Sequence, residues 1–260
     1  MHSKGHLHDS GASFEPFLLV SFALVILIYI GAAAYSGRKY NKWPVSRTLF
    51  WILGVMSAAS ALIGPLADRA HMDFTAHMVG HLLLGMIAPI LLVLAAPITL
   101  ALRTLDVQSA RRLSRLLKSR PLRTLTNPIF ASILNIGGLW ILYTTGLYGA
   151  MHHNIILHAL VHFHVFAAGY LFSASMIYID PAPHPLSFKF RIIVFAFSLA
   201  GHDILSKYIY AHPPSGVMKA QAESGGMLMF YAGDAVDVVL ICLLCYQWFK
   251  AARPRGSLAI

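Results

Sequence analysis

Seven stretches of this chain, 16–36, 48–66, 74–101, 128–148, 155–179, 191–211 and 227–249, are each apolar over the length of a membrane crossing. A helix needs roughly 20 apolar residues to span a bilayer. Inside hydrocarbon every backbone N–H and C=O must be satisfied within the protein, so only helices and closed barrels cross. These runs are continuous and do not alternate apolar with polar, which selects helices over barrel strands. The expected fold is therefore all-α, a polytopic membrane bundle of seven transmembrane helices. Only 12% of residues are charged and 57% are hydrophobic, against about 25% charged in soluble domains. The third run carries Pro89 and Pro97, so it is expected to kink or to end early. The expected domain organisation is a histidine-containing tail over 1–15, one membrane domain over 16–250, and a second tail over 251–260.

Charge then orients the bundle. Basic residues concentrate in the segments between spans one and two, between three and four, between five and six, and after span seven. Sixteen fall on that side, including Arg38, Lys39, Arg111, Arg112, Arg115 and Lys250, against Lys4, Arg69 and Lys219 on the other. The positive-inside rule puts the N-terminus outside and the C-terminus in the cytoplasm. The net charge of +10 is thereby accounted for by topology and anionic lipid, and it gives no ground for a nucleic-acid partner. Ala32-Ala33-Ala34 resembles a signal-peptide cleavage site, but the basic residues follow the apolar core and do not precede it, so the span reads as uncleaved. The stretch 103–123 sets leucines among arginines and predicts a short amphipathic helix on the inner surface, with a solvated loop as the alternative. Cys242 and Cys245 read as small residues within the last span.

With this orientation the ionisable residues of the spans share a layer. His77 and His81 on span three and His158 and His162 on span five are i, i+4 pairs, each presenting two imidazoles on one helix face. At about 1.5 Å per residue the pairs lie at matching depth in the outer half of the membrane. His202, Asp203 and Lys207 on span six, and Asp234 and Asp237 on span seven, fall in the same half. Polar groups this costly in hydrocarbon face a bundle interior and mark function. Individually they have plainer readings. His164 sits off the face of its pair and reads as packing. His71, His152, His153 and His212 read as solvated outer-loop residues. Asp203 and Lys207 could form an i, i+4 ion pair. Taken together they leave uncompensated aspartates beside several imidazoles, which calls for protons or a cation.

Imidazole suits zinc, copper and iron, whereas thioether selects Cu(I). Seven of ten methionines fall on the outer side, with Met72 and Met78 bracketing the first histidine pair. Copper is favoured over zinc, its oxidation state left open. The groups that could hold such an ion are His77, His81, His158, His162 and His202 with the aspartates Asp203, Asp234 and Asp237, while Lys207, Met72 and Met78 lie in the same half of the membrane. The tail histidines His2, His6 and His8 form either a metal-collecting arm or a plain polar tail.

Four motifs in order resemble the CtaG-type integral-membrane family of cytochrome c oxidase assembly factors. They are AHMVGHLLLGMIAPILLVLAAP at 76–97, HALVHFHVFAAGYLF at 158–172 with Asp180-Pro181 after it, GHDILSKYI at 201–209, and QAESGGMLMFYAGD at 221–234. The resemblance runs from about residue 48 to 250. It implies a seven-helix, non-enzymatic protein that helps copper reach a haem-copper oxidase. The implied partners are an oxidase subunit and an outer-side copper chaperone, with a homo-oligomer left open. On the matching positions the five span histidines are the implied metal ligands and Asp234 an acidic neighbour. Two other classes remain. One is an intramembrane zinc hydrolase, with zinc activating water. The other is a b-type haem protein with axial histidines from two helices. A di-iron hydroxylase would need its histidines on the cytoplasmic side, and a retinal protein its lysine on the last helix.

Overall fold

A computed structural model describes residues 9–253, with side chains from residue 15 onward. The tail histidines His2, His6 and His8 lie outside the described residues. Within them the chain is entirely helical, with short turns and no strand. In order come α1 (Asp9–Lys39), α2 (Val45–Leu62), α3 (Pro65–Ala70), α4 (Phe74–Leu94), α5 (Pro97–Thr104), α6 (Val107–Leu117) and α7 (Arg120–Leu125). They are followed by α8 (Pro128–Thr144), α9 (Leu147–Met151), α10 (Ile155–Met176), α11 (Phe188–Ala211) and α12 (Lys219–Ala252). Six of these, α1, α2, α4, α10, α11 and α12, are long and apolar enough to cross a membrane. Where the fourth span is expected there is a shorter apolar helix, α8, which stops where Thr145 turns extended. The arginine-rich stretch forms the helices α6 and α7, with Asp106 accepting from the Gln108 and Ser109 amides to cap α6.

Burial sorts the helices. More than half of the α4 window is buried, 56%, against 6% for α1, so α4 is the axis of the bundle and α1 its rim. Helix α4 packs against α2, α10 and α12, while α11 lies along α12. Phe17, Leu24, Leu27 and Ile28 of α1 project outward, as expected of a helix whose neighbour is lipid. Cys242 and Cys245 are likewise exposed and unbonded to each other.

The third run distorts at Pro89 and ends before Pro97. Pro89 has no N–H to offer the carbonyl one turn earlier, and the helix loosens into a π turn over Leu83–Ile87. The Leu83 carbonyl is taken by the Ala88 amide and by the Ser57 hydroxyl at 3.2 Å. At the far end Ala96 adopts a left-handed φ of 54°, a conformation that costs an L-residue about 1–2 kcal/mol. Two clamps hold it. The Tyr29 hydroxyl donates to the Ala95 carbonyl at 2.6 Å. The Asp180 carboxylate accepts from the amides of Ile98 (3.1 Å) and Thr99 (2.7 Å) and from the Thr99 hydroxyl (2.6 Å), which caps the new helix α5. Asp180→Ala is expected to cost about 2 kcal/mol, the upper range for a lost cap, and to lower the thermal midpoint of the detergent-solubilised protein. An unchanged midpoint would show that the break is held by other contacts.

Candidate metal centre

The polar residues of the spans gather into two connected groups, both centred on α4. The first lies toward the end of the bundle bearing His71, His152 and Ser215. Asn154 caps α10 there through the Ile156 and Leu157 amides, which sets the helical phase of His158 and His162. Their rings lie 4.2 Å apart centre to centre, and His162 faces His77 across the helix interface at 6.3 Å. His77 is buried and hydrogen-bonded to the Tyr143 hydroxyl at 3.1 Å. His162 Nδ1 donates to the His158 carbonyl at 2.9 Å, so its Nε2 keeps a free lone pair.

The second group lies one turn deeper along α4. His81 and His202 are both buried, and neither ring nitrogen of either finds a hydrogen-bond partner. They line a small cavity together with Asp237, Asn135, Ser173 and Ser198, walled by Phe172, Phe195 and Leu139. Its free volume for a water-sized guest is about 20 Å³, enough for one water or one ion. Two glycines make room for the rings. A Cβ at Gly233 would stand 2.6 Å from His202 Cε1, and one at Gly85 would stand 3.2 Å from His81 Cε1. Burying two imidazoles without partners is costly. The donor set of two imidazoles and a carboxylate around an ion-sized space fits a divalent or monovalent transition metal. Among the described residues no three such side chains already surround a single point, so ligation requires these side chains to turn into the cavity that they line.

The candidate residues divide accordingly. His77, His158 and His162 fall in the first group, His81 and His202 in the second. Asp237, not Asp234, lines the cavity. Asp234 is half-buried and lies off the cavity. The Asp203–Lys207 ion pair does not form; the Lys207 ammonium sits 4.9 Å above the Phe230 ring instead, where a cation–π contact replaces it. Met78 is packed into the apolar cluster of Phe74, Leu205 and Met229, away from the cavity. Met72 is at the surface. His164 donates to the Leu134 carbonyl at 3.1 Å, the packing role expected of it.

His71 is exposed, as read from sequence, and His152 is half-buried; beyond that reading, His71 stacks on His158 at 5.2 Å and meets His152 at 6.3 Å, which joins both to the first group. Their place depends on how the α3–α4 and α9–α10 turns pack, which no local spacing records. Sequence reasoning also passed over Tyr143, Tyr148, Asn135, Ser173 and Ser198. Of these only Asn135 carried a readable signal, as a lone amide in mid-span.

A family model described as cytochrome c oxidase caa3 assembly factor (Caa3_CtaG) matches residues 27–251. An uncharacterized protein of Mycobacterium bovis is 36% identical over 265 residues, covering 92% of this chain and 40% of its own length. An uncharacterized protein of Mycobacterium tuberculosis matches to the same extent. One from Mycobacterium leprae is 29% identical over 255 residues, covering 90% of this chain and 39% of its own. The chain thus spans about 40% of the length of the curated relatives that it matches. No solved structure matches it.

Proposed function

The chain belongs to the family of cytochrome c oxidase caa3 assembly factors, and from that premise we propose that it binds copper within the membrane and supports metallation of a haem-copper oxidase subunit. The observation that carries this reading is the pair of buried, unpartnered imidazoles, His81 and His202, beside Asp237 on an ion-sized cavity. His77, His158 and His162 lead to it from one end of the bundle. Copper is the cargo, not a resident catalyst. Binding requires neutral imidazoles and an ionised carboxylate, so it is the carboxylate that gives up any proton it holds.

In this reading residues 16–250 form one membrane domain of seven crossings in a bacterial cell membrane. Helix α8, at 17 residues, meets the lower limit of about 17 residues for a crossing. The N-terminus and the histidine-bearing end face outward and the C-terminus faces the cytoplasm, as the sixteen-to-three distribution of basic residues favours. Copper then enters from the outer side, delivered by an outer-side chaperone, and leaves to an oxidase subunit alongside. A space for one small ion leaves no room for a porphyrin or an acyl substrate, which supports carriage over haem binding or zinc hydrolysis.

Metal analysis of the purified chain tests this. Copper at one equivalent or more per chain is expected, falling at least tenfold at the buried site in His81→Ala/His202→Ala. Stoichiometric zinc with hydrolytic release of a fatty acyl group, or a red protein with a Soret band, would replace the reading.

A further inference from the structure

The loop histidines that pack onto the first group border a second, larger space. Its free volume for water-sized guests is about 220 Å³, and it opens to solvent between the α3–α4 turn, the α9–α10 turn and the segment before α12. His71, Met72, His152, His153 and Gln221 line it. The space is ten times larger than the buried cavity and differs in kind: several waters fit, so an ion arriving with a carrier or a hydration shell can be received there.

Three features give it the properties of a metal site. First, His71 and His152 both line the space with ring centres 6.3 Å apart, and among the described residues no third such side chain surrounds the same point, so an ion there would be held by these two imidazoles after side-chain rotation. Second, His152 Nδ1 donates to the Tyr148 carbonyl at 2.9 Å. That bond fixes the tautomer and leaves Nε2 as a free donor atom, the arrangement that orients metal-binding histidines. Third, the Met72 thioether at the rim adds the soft ligand that selects Cu(I).

We propose that His71 and His152, with the Met72 thioether at the rim, form a separate surface site that receives copper(I) and loads the buried His81–His202 cavity by way of His158, His162 and His77. The inference rests on the copper reading above and extends it to a second site and a direction of travel. The spacing along the path is regular: His71 to His158 5.2 Å, His158 to His162 4.2 Å, and His162 to His77 6.3 Å. His81 follows His77 one helical turn, about 6 Å, along α4. The ion moves by exchanging one imidazole lone pair for the next. Copper stays copper(I), each imidazole is neutral before and after, and no electron or proton donor is needed.

The test is a copper(I) titration of the purified full chain in detergent against a coloured copper(I) chelator, with stoichiometry and loading rate both read. The wild type is expected to take two equivalents. His71→Gln/His152→Gln, whose amides retain polarity at the surface, is expected to take one and to fill the remaining site at least tenfold more slowly. His81→Ala/His202→Ala is expected to keep the surface equivalent alone. Two equivalents in the His71→Gln/His152→Gln variant, or loading at the wild-type rate, would overturn the surface site and leave the buried one standing. Two equivalents in His81→Ala/His202→Ala would overturn the buried site and not the surface one. Loss of both equivalents together in the glutamine variant would overturn the division into two sites.

Discussion

Gly169→Ala is expected to leave almost no folded protein in the membrane. A Cβ at this position would lie 2.1 Å from the Gly85 carbonyl oxygen and 3.0 Å from its carbon. Both atoms are backbone, so no rotamer change relieves the overlap. The contact exists because Pro89 withholds the N–H that would occupy the Gly85 carbonyl, and α10 approaches closely enough for the Gly169 Cα–H to face it. Small residues at such crossings are how membrane helices pack, because lipid provides no hydrophobic force between them. Overpacking costs about 1–3 kcal/mol when side chains can yield, and more is expected here, where α4 and α10 would have to separate. The yield of monodisperse protein after detergent extraction measures it. Gly31→Ala, at a position with nothing within 4 Å of the new carbon, is the matched control and is expected to extract like wild type. Equal yields from both variants would show that α10 can shift without penalty.

His202→Ala is expected to lower the oxidase activity of cells that depend on this chain at least tenfold while the protein still inserts, with His77→Ala and His162→Ala expected to act in the same direction. Gly233→Ala is the sharper case. It removes no ligand, yet its methyl would stand 2.6 Å from His202 Cε1, forcing the ring out of the cavity. A defect comparable to His202→Ala would tie function to the position of that imidazole. Full oxidase activity in His202→Ala and Gly233→Ala, with normal amounts of protein in the membrane, would remove the buried cavity from the pathway.

The legible part of the site was that written in helical period. His77 and His81, and His158 and His162, recur every four residues, so their shared faces follow from 3.6 residues per turn. The break in the third run was equally plain, since Pro89 and Pro97 act on the backbone wherever they stand. By contrast, Asp234 and Asp237 lie less than one turn apart on α12. Depth alone gives no preference between them, and only the azimuth of α12 brings Asp237 to the cavity and leaves Asp234 off it. The contacts of His71 and His152, read as solvated loop residues, were not legible for a related reason: loop residues have no period, and a turn's place is set by the helices that it joins. The Asp203–Lys207 pair shows the converse. Spacing permitted it, but the flexible lysine found the Phe230 ring instead.

By itself the sequence determined that the chain is a bundle of apolar helices, where its third run breaks, and which histidines share a helix face. Each of these is a property of neighbours within one or two turns, carried by hydropathy, proline and spacing. Only the tertiary structure decided that the imidazoles divide into two groups one turn apart along α4, and that His81, His202 and Asp237 line an ion-sized space. That division depends on how close α4, α10, α11 and α12 approach, and on the glycines Gly85, Gly169 and Gly233 where they touch. Such contacts join residues distant along the chain, and no local pattern of residues encodes them.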